Sequence, residues 1–141
     1  MVLISRLEIV KESNFNDVLT VYNDLSEEEK RFIDVDGSFE DSPYLFYRKI
    51  KYVKSYPIAF IEVYKDKNEG AIAIAVNKKY RGQGIASDLI RNAMVYCKRR
   101  NIVQLIYKVN KKNQDSIKLA SRFGSIIASD NNFYWFGIPL K

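Results

Sequence analysis

After Val76 the chain reads Asn77-Lys78-Lys79-Tyr80-Arg81-Gly82-Gln83-Gly84-Ile85-Ala86-Ser87, and the reading of this stretch decides the fold. Two glycines within three residues let the backbone approach a ligand closely and adopt positive φ. Ala86, Leu89, Ile90, Ala93, Met94 and Cys97 then recur at the spacing of an amphipathic helix, predicted over 84–100. Arg91, Lys98, Arg99 and Arg100 occupy its other side and its end, where cations suit the helix dipole. The glycines therefore stand at a helix start, where unpaired N–H groups and the dipole attract an anion. Lys78, Lys79 and Arg81 add formal charge. A phosphate or pyrophosphate is the expected guest.

Upstream, Gly70 introduces Ala71-Ile72-Ala73-Ile74-Ala75-Val76, a run of small and branched apolar residues that predicts a strand buried on both faces. Downstream, Val103, Leu105, Tyr107 and Val109 alternate with polar residues, which is strand periodicity. The strand 71–76, the helix and the strand 103–109 thus form a crossover unit whose strands should be parallel and whose hand should be right.

Further out, the N-terminal part reads as a strand near Arg6–Lys11 and a helix from Asn14 to Leu25. Ser26-Glu27-Glu28-Glu29 has the S-x-x-E form of a capping box and opens a second short helix. A loop rich in Asp and Ser follows from Asp34 to Pro43, then strands at Leu45–Lys54 and Pro57–Tyr64, joined to Gly70 through a turn at Lys65-Asp66-Lys67-Asn68. Asn113–Phe123 reads as a short helix closed by Gly124, in the manner of a glycine C-cap. Ile126–Ala128 and Phe133–Ile138 complete the chain as an antiparallel pair. The order β-α-α-β-β-β-α-β-α-β-β predicts one mixed α/β domain over residues 1–141, with six to seven strands and about four helices.

Three phosphate-binding motifs compete for the glycine loop. The P-loop pattern G-x-x-x-x-G-K-[ST] is absent. The dinucleotide fingerprint is a near miss, because Gly82-Gln83-Gly84-Ile85-Ala86-Ser87 ends in serine and the next strand ends in Lys108-Val109-Asn110 with no acidic residue. The third pattern, Q/R-x-x-G-x-G/A, is met at all four specified positions by Arg81-Gly82-Gln83-Gly84-Ile85-Ala86. Together with the flanking strand and helix, it makes the chain resemble the GNAT family of N-acetyltransferases. A second family feature supports this: Asn113 opens the next helix, and Ile117, Leu119, Arg122 (for Lys) and Gly124 match the run that follows. The resemblance covers nearly the whole chain.

What the resemblance implies is specific. Acetyl-CoA would lie where the parallel strands 71–76 and 103–109 splay apart. Its pantetheine arm would pair with backbone around Ile74 and Val76. Its pyrophosphate would sit on N–H groups of Arg81, Gly82, Gln83, Gly84, Ile85, Ala86 and Ser87, with Asn113 touching or orienting the arm. A neutral amine would attack the thioester directly, with the Val76 N–H as an oxyanion donor. Glu69 and Glu62 are the expected bases, acting directly or through water. The sequence departs from the family at two places, Ala120 where a tyrosine often protonates the leaving thiolate and Ser125 where phenylalanine is usual. Tyr107, Tyr134 or solvent would then supply the proton.

Composition bounds the alternatives. The chain has 141 residues, 47% hydrophobic and 28% charged, typical of a soluble globular domain. It has no histidine and one cysteine, Cys97, which removes Ser-His-Asp triads, Cys-His pairs, histidine zinc sites and intrachain disulfides. No metal site is expected. Neither a membrane span nor a signal peptide is legible, so a cytoplasmic protein is expected, and a homodimer stays open. Residues 1–70 carry 10 Lys/Arg against 14 Asp/Glu, and residues 71–141 carry 13 against 3. The basic half suits an anionic cofactor. Glu27, Glu28, Glu29, Asp34, Asp36, Glu40 and Asp41 in the acidic half point to a cationic acceptor such as a polyamine, an aminoglycoside or a lysine-containing peptide. Two rivals stand beside the enzyme: an acetyl-CoA-binding module without efficient transfer, favoured by Ala120, and a basic nucleic-acid binder, for which no motif is present.

Overall fold

A computed structural model describes residues 5–30 and 44–140. In chain order the elements are β1 (Ser5–Ile9), α1 (Phe15–Asn23), α2 (Glu27–Lys30), β2 (Leu45–Val53), β3 (Tyr56–Asp66), β4 (Glu69–Val76), α3 (Ile85–Lys98), β5 (Gln104–Asn110), α4 (Gln114–Phe123), β6 (Ser125–Ser129) and β7 (Phe133–Pro139). This is the order expected from the sequence, with two short 3-10 turns added at Glu12–Asn14 and Lys78–Tyr80. The expected loop at 34–43 lies outside the described residues. Among the described residues no helix is long and apolar enough to cross a membrane.

The strands form one sheet in the order β1-β2-β3-β4-β5-β7-β6. β4 and β5 are parallel, as expected of the crossover; the other neighbours are antiparallel. Because strand side chains alternate between faces, the apolar run of β3 feeds two cores. Phe60 joins Ile50 and Ala75 beneath Phe15, Val18 and Val21 of α1. Ile61 and Val63 join Leu105 and Phe136 beneath Leu89, Ile90, Ala93 and Cys97 of α3 and Ala120 of α4. Burying each such side chain contributes roughly 1.5–3 kcal/mol, so the helical stripes read from the sequence hold the layers together. Cys97 belongs to this core, where burial pushes its thiol up to about 11.

Local chemistry sets the element ends. Ser26 and Glu29 form the capping box reciprocally: the Glu29 N–H donates to Ser26 Oγ and the Ser26 N–H to Glu29 Oε1, both at 3.1 Å. Asn113 caps α4 by accepting the Ser116 N–H at 3.1 Å. The β3–β4 turn is tighter than expected. β3 continues to Asp66, which pairs with Glu69, so only Lys67 and Asn68 turn the chain, with Lys67 at φ 56°.

Gly124 ends α4 for a reason other than the expected left-handed cap. Its backbone is extended, at φ −161°. What it needs is space: a Cβ there would lie 2.0 Å from the Gly137 carbonyl oxygen of β7. The helix leaves directly into the β6–β7 edge, and backbone meets backbone. Gly124→Ala is therefore expected to destabilise the fold by roughly 2–3 kcal/mol, read as a lower midpoint in urea unfolding. At Gly82, a Cβ would meet nothing within 4 Å, and alanine there should cost only the strain of φ 77°, about 1–2 kcal/mol.

Candidate active site

The β4–β5 ladder stops short. Its pairs run from Glu69↔Gln104 to Ile72↔Tyr107 and go no further. Beyond them β4 stays with β3, through Ile61↔Ile74 and Ala59↔Val76, while β5 stays with β7, through Val109↔Tyr134 and Asn110↔Phe133. The two strands therefore diverge, and a cleft of about 720 Å³ opens between them. Its other walls come from the α1–α2 connection, the glycine loop with the start of α3, and α4. This corrects the expectation that strand 71–76 is buried on both faces. Ala73, Ile74 and Val76 are half-buried because they line the cleft.

The loop after β4 is built to leave the start of α3 open. Asn77 Oδ1 accepts the Lys79 N–H at 2.9 Å, Asn77 Nδ2 donates to Asp24 Oδ2 at 3.1 Å, and the Asn77 N–H donates to the Ile58 carbonyl at 2.7 Å. One buried side chain thus ties the loop to the end of α1. Gly82 and Gly84 follow at φ 77° and 81°, and Gly84 caps α3 with no side chain over its N–H groups. Ser87, in the first turn, is buried, and its Oγ accepts from Arg122 of α4 at 3.5 Å. Nine of the ten residues expected at the cofactor line the cleft: Ile74, Val76, Arg81, Gly82, Gly84, Ile85, Ala86, Ser87 and Asn113. Gln83 does not; its amide turns back to the Lys79 carbonyl at 3.5 Å.

Neither expected base is brought to the cleft. Glu69 opens β4 at its paired end, three residues before Ile72, which is about 10 Å along a strand on the closed side of the fork. There it accepts from Gln104 Nε2 at 2.7 Å. Glu62 is fully buried on β3 and accepts from Arg48 Nε, whose guanidinium lies 5.3 Å from the Phe15 ring centroid. Desolvation and the nearby Glu62 charge push the neighbouring Tyr64 hydroxyl up to about 12. Glu62 thus belongs to a packed ionic cluster between the sheet and α1.

Other titratable groups do face the cleft. Tyr107 sits at the fork itself, 9% exposed; burial raises its pKa against the hydrogen bond with Ser116, so it stays protonated well into the alkaline range. Ala120 is fully buried one turn further along α4 than Ser116. Tyr134 does not line the cleft; its ring packs against Phe136 at 6.2 Å. Glu28 and Glu29 form an acidic wall. Glu29 Oε2 accepts from Arg81 Nη2 at 2.5 Å, and Arg81 Nε donates to the Val76 carbonyl at 3.0 Å. The Glu29–Arg81 contact joins residues 52 positions apart, so no sequence spacing announces it.

This architecture recurs in proteins of known structure. The GNAT domain of S. lividans PAT superposes with a TM-score of 0.84 at 15% identity, covering 96% of this chain and 90% of that one. The ribosomal-protein-S18-alanine N-acetyltransferase from Escherichia coli gives 0.75 at 13% identity, with 98% and 95% covered. The paia N-acetyltransferase from Thermoplasma acidophilum, in complex with coenzyme A, gives 0.78 at 14% identity, with 97% and 99% covered. No curated protein matches by sequence. Residues 8–124 match the Acetyltransferase (GNAT) family, and the chain belongs to that family. It is an N-acetyltransferase, and its cosubstrate is acetyl-CoA.

Asn77 tests how far the loop depends on its ties. Asn77→Ala removes two side-chain hydrogen bonds from a buried position and is expected to cost about 1–3 kcal/mol, measured by chemical denaturation.

Proposed function

We propose that this enzyme acetylates a cationic primary amine by direct attack on acetyl-CoA, with Tyr107 protonating the departing thiolate. The observation that carries the reading is the fork. Backbone on the β5 side of residues 73–76 has no strand neighbour, and unpaired strand backbone is what an extended pantetheine arm can hydrogen-bond. At the mouth of the same cleft stand the open N-terminus of α3, with Arg81 and Arg122 beside it. That combination suits a diphosphate. Asn113, already committed to capping α4, would orient the arm through its helix start.

The acceptor enters along the wall of Glu28 and Glu29, which favours an ammonium-bearing molecule. Once deprotonated, its nitrogen forms a bond to the thioester carbonyl carbon. The oxyanion that develops is met by backbone N–H at Val76. The intermediate collapses with cleavage of the carbon–sulfur bond. The thiolate takes the Tyr107 proton, and the tyrosinate is reprotonated by the proton released from the amine, by way of solvent. Tyr107 suits this task because it lines the cleft at the fork, where Ser116 of α4 hydrogen-bonds its hydroxyl. The single buried thiol suits a reducing compartment, the cytoplasm.

Two measurements test the reading. Tyr107→Phe should lower kcat about 10- to 100-fold, modest for acid catalysis because a thiolate leaves readily, with the KM for acetyl-CoA within about twofold. Free-thiol release assays over a panel of amines report both constants. Tight acetyl-CoA binding without turnover of any amine would instead favour a binding module. Glu28→Gln should raise the KM for spermidine about threefold or more through loss of one carboxylate, and an unchanged KM removes the cationic acceptor from the proposal.

A further inference from the structure

The Glu29–Arg81 pair stands where the two sites of this enzyme meet, and its geometry is unusual for a surface ion pair. Arg81 belongs to the cofactor loop, yet its side chain points away from the helix start and into the α2 wall. Nε is committed to the Val76 carbonyl and Nη2 to Glu29. Glu29 in turn is held from behind, since its other oxygen accepts the Ser26 N–H at 3.1 Å. The wall that carries it is fixed to the loop a second time through Asp24 and Asn77. Both side chains line the cleft, 40% and 34% exposed.

We propose that this ion pair is a latch between the cofactor and acceptor sites: the cofactor diphosphate draws the Arg81 guanidinium off Glu29, and the released carboxylate receives the acceptor's ammonium group. The inference rests on the acetyl-CoA and amine reading given above. Its physical basis is a competition. A half-exposed ion pair is weak, because solvent screens it. A diphosphate at the α3 N-terminus presents more negative charge than one carboxylate, with donors on several sides. When Arg81 turns to it, Glu29 stays aimed at the cleft, since Ser26 still holds it. The carboxylate is then the uncompensated charge on the acceptor wall. Each substrate thereby improves the site for the other, and the coupling must be equal in both directions.

Protonation follows the same logic. Against desolvation, which alone would raise it, the Ser26 N–H and the Arg81 charge hold the Glu29 carboxyl below the usual carboxylate range. Removal of Arg81 takes away one of these influences, so the Glu29 pKa moves up when cofactor binds.

Glu29→Gln isolates the charge, because glutamine also serves the capping box. Calorimetric titration with coenzyme A should show that E29Q binds about two- to fivefold more tightly than wild type, the range for releasing a half-exposed pair. Glu27→Gln carries the same charge change on the same helix, off the cleft, and should leave the affinity unchanged. In an Arg81→Gln background, the effect of E29Q should vanish. Weaker binding by E29Q makes the pair a strut and overturns the proposal. So does an E29Q gain that persists without Arg81, which is plain repulsion of the anion. Carboxyl carbon NMR of the full chain should show the Glu29 pKa rising on saturation with coenzyme A, and an unmoved value means the latch does not open. Spermidine should then perturb the Glu29 carboxyl signal in the coenzyme A complex and not in the free protein. No perturbation in the complex removes the ammonium-receiving role. Failure of wild type to bind coenzyme A would sink the cofactor reading itself, a result distinct from all of these.

Discussion

The end of the β4–β5 ladder at Ile72 and Tyr107 is the constraint on which the rest of this molecule depends. A sheet normally gains one more pair of hydrogen bonds with each residue it extends. Here each strand prefers its outer neighbour: β4 stays registered with β3 through Val76, and β5 with β7 through Asn110. The paired end leaves no slack. A Cβ on Gly70 would lie 2.7 Å from Val63 and 3.0 Å from Leu105, so the strands are pressed together there. A few residues on they part, and unpaired backbone becomes wall. Strand backbone without a strand partner is a surface that an extended ligand can hydrogen-bond.

Around this opening the two halves of the chain carry different work. The C-terminal half supplies Gly82, Gly84, Ser87 and Arg122, which line the cleft from the glycine loop, α3 and α4. The N-terminal half supplies an acidic wall, and two polar ties fasten it to the glycine loop, Asp24 to Asn77 and Glu29 to Arg81. The cleft thus draws Glu28 and Glu29 from the acidic half of the chain and Arg81, Lys108, Lys112, Lys118 and Arg122 from the basic half.

The distribution of buried ionisable groups separates scaffold from chemistry. Arg48 and Glu62 sit together under α1, the Arg48 side chain only 9% exposed and that of Glu62 fully buried. Their burial is offset by the pairing of opposite charges, which ties them to the packing of β2, β3 and α1. Tyr107 is equally buried but borders open volume. The Tyr107 hydroxyl borders the cleft at the fork of two strands, whereas the paired Glu62 carboxylate one strand away does not line it.

Much of this was legible in the sequence because it rests on local periods and local capping. Helical spacing from Ala86 to Cys97, the Ser26–Glu29 box, the Asn113 cap and the glycine loop each involve residues within a few positions, and each has the form the spacing predicts. The order of all eleven helices and strands follows from the same short-range signals. What only the tertiary structure decided are matters of approach between distant segments. Gly124 is required by the carbonyl of Gly137 and not by its own φ. Glu62 and Glu69 are drawn to Arg48 and Gln104 on neighbouring strands, away from the cleft. Gln83 folds back on its own loop, and Arg81 reaches Glu29 across the wall. A sequence specifies which residues carry charge and where the backbone can bend. Which charge meets which is set by strand register and by the point where two strands part, and both are properties of the assembled sheet.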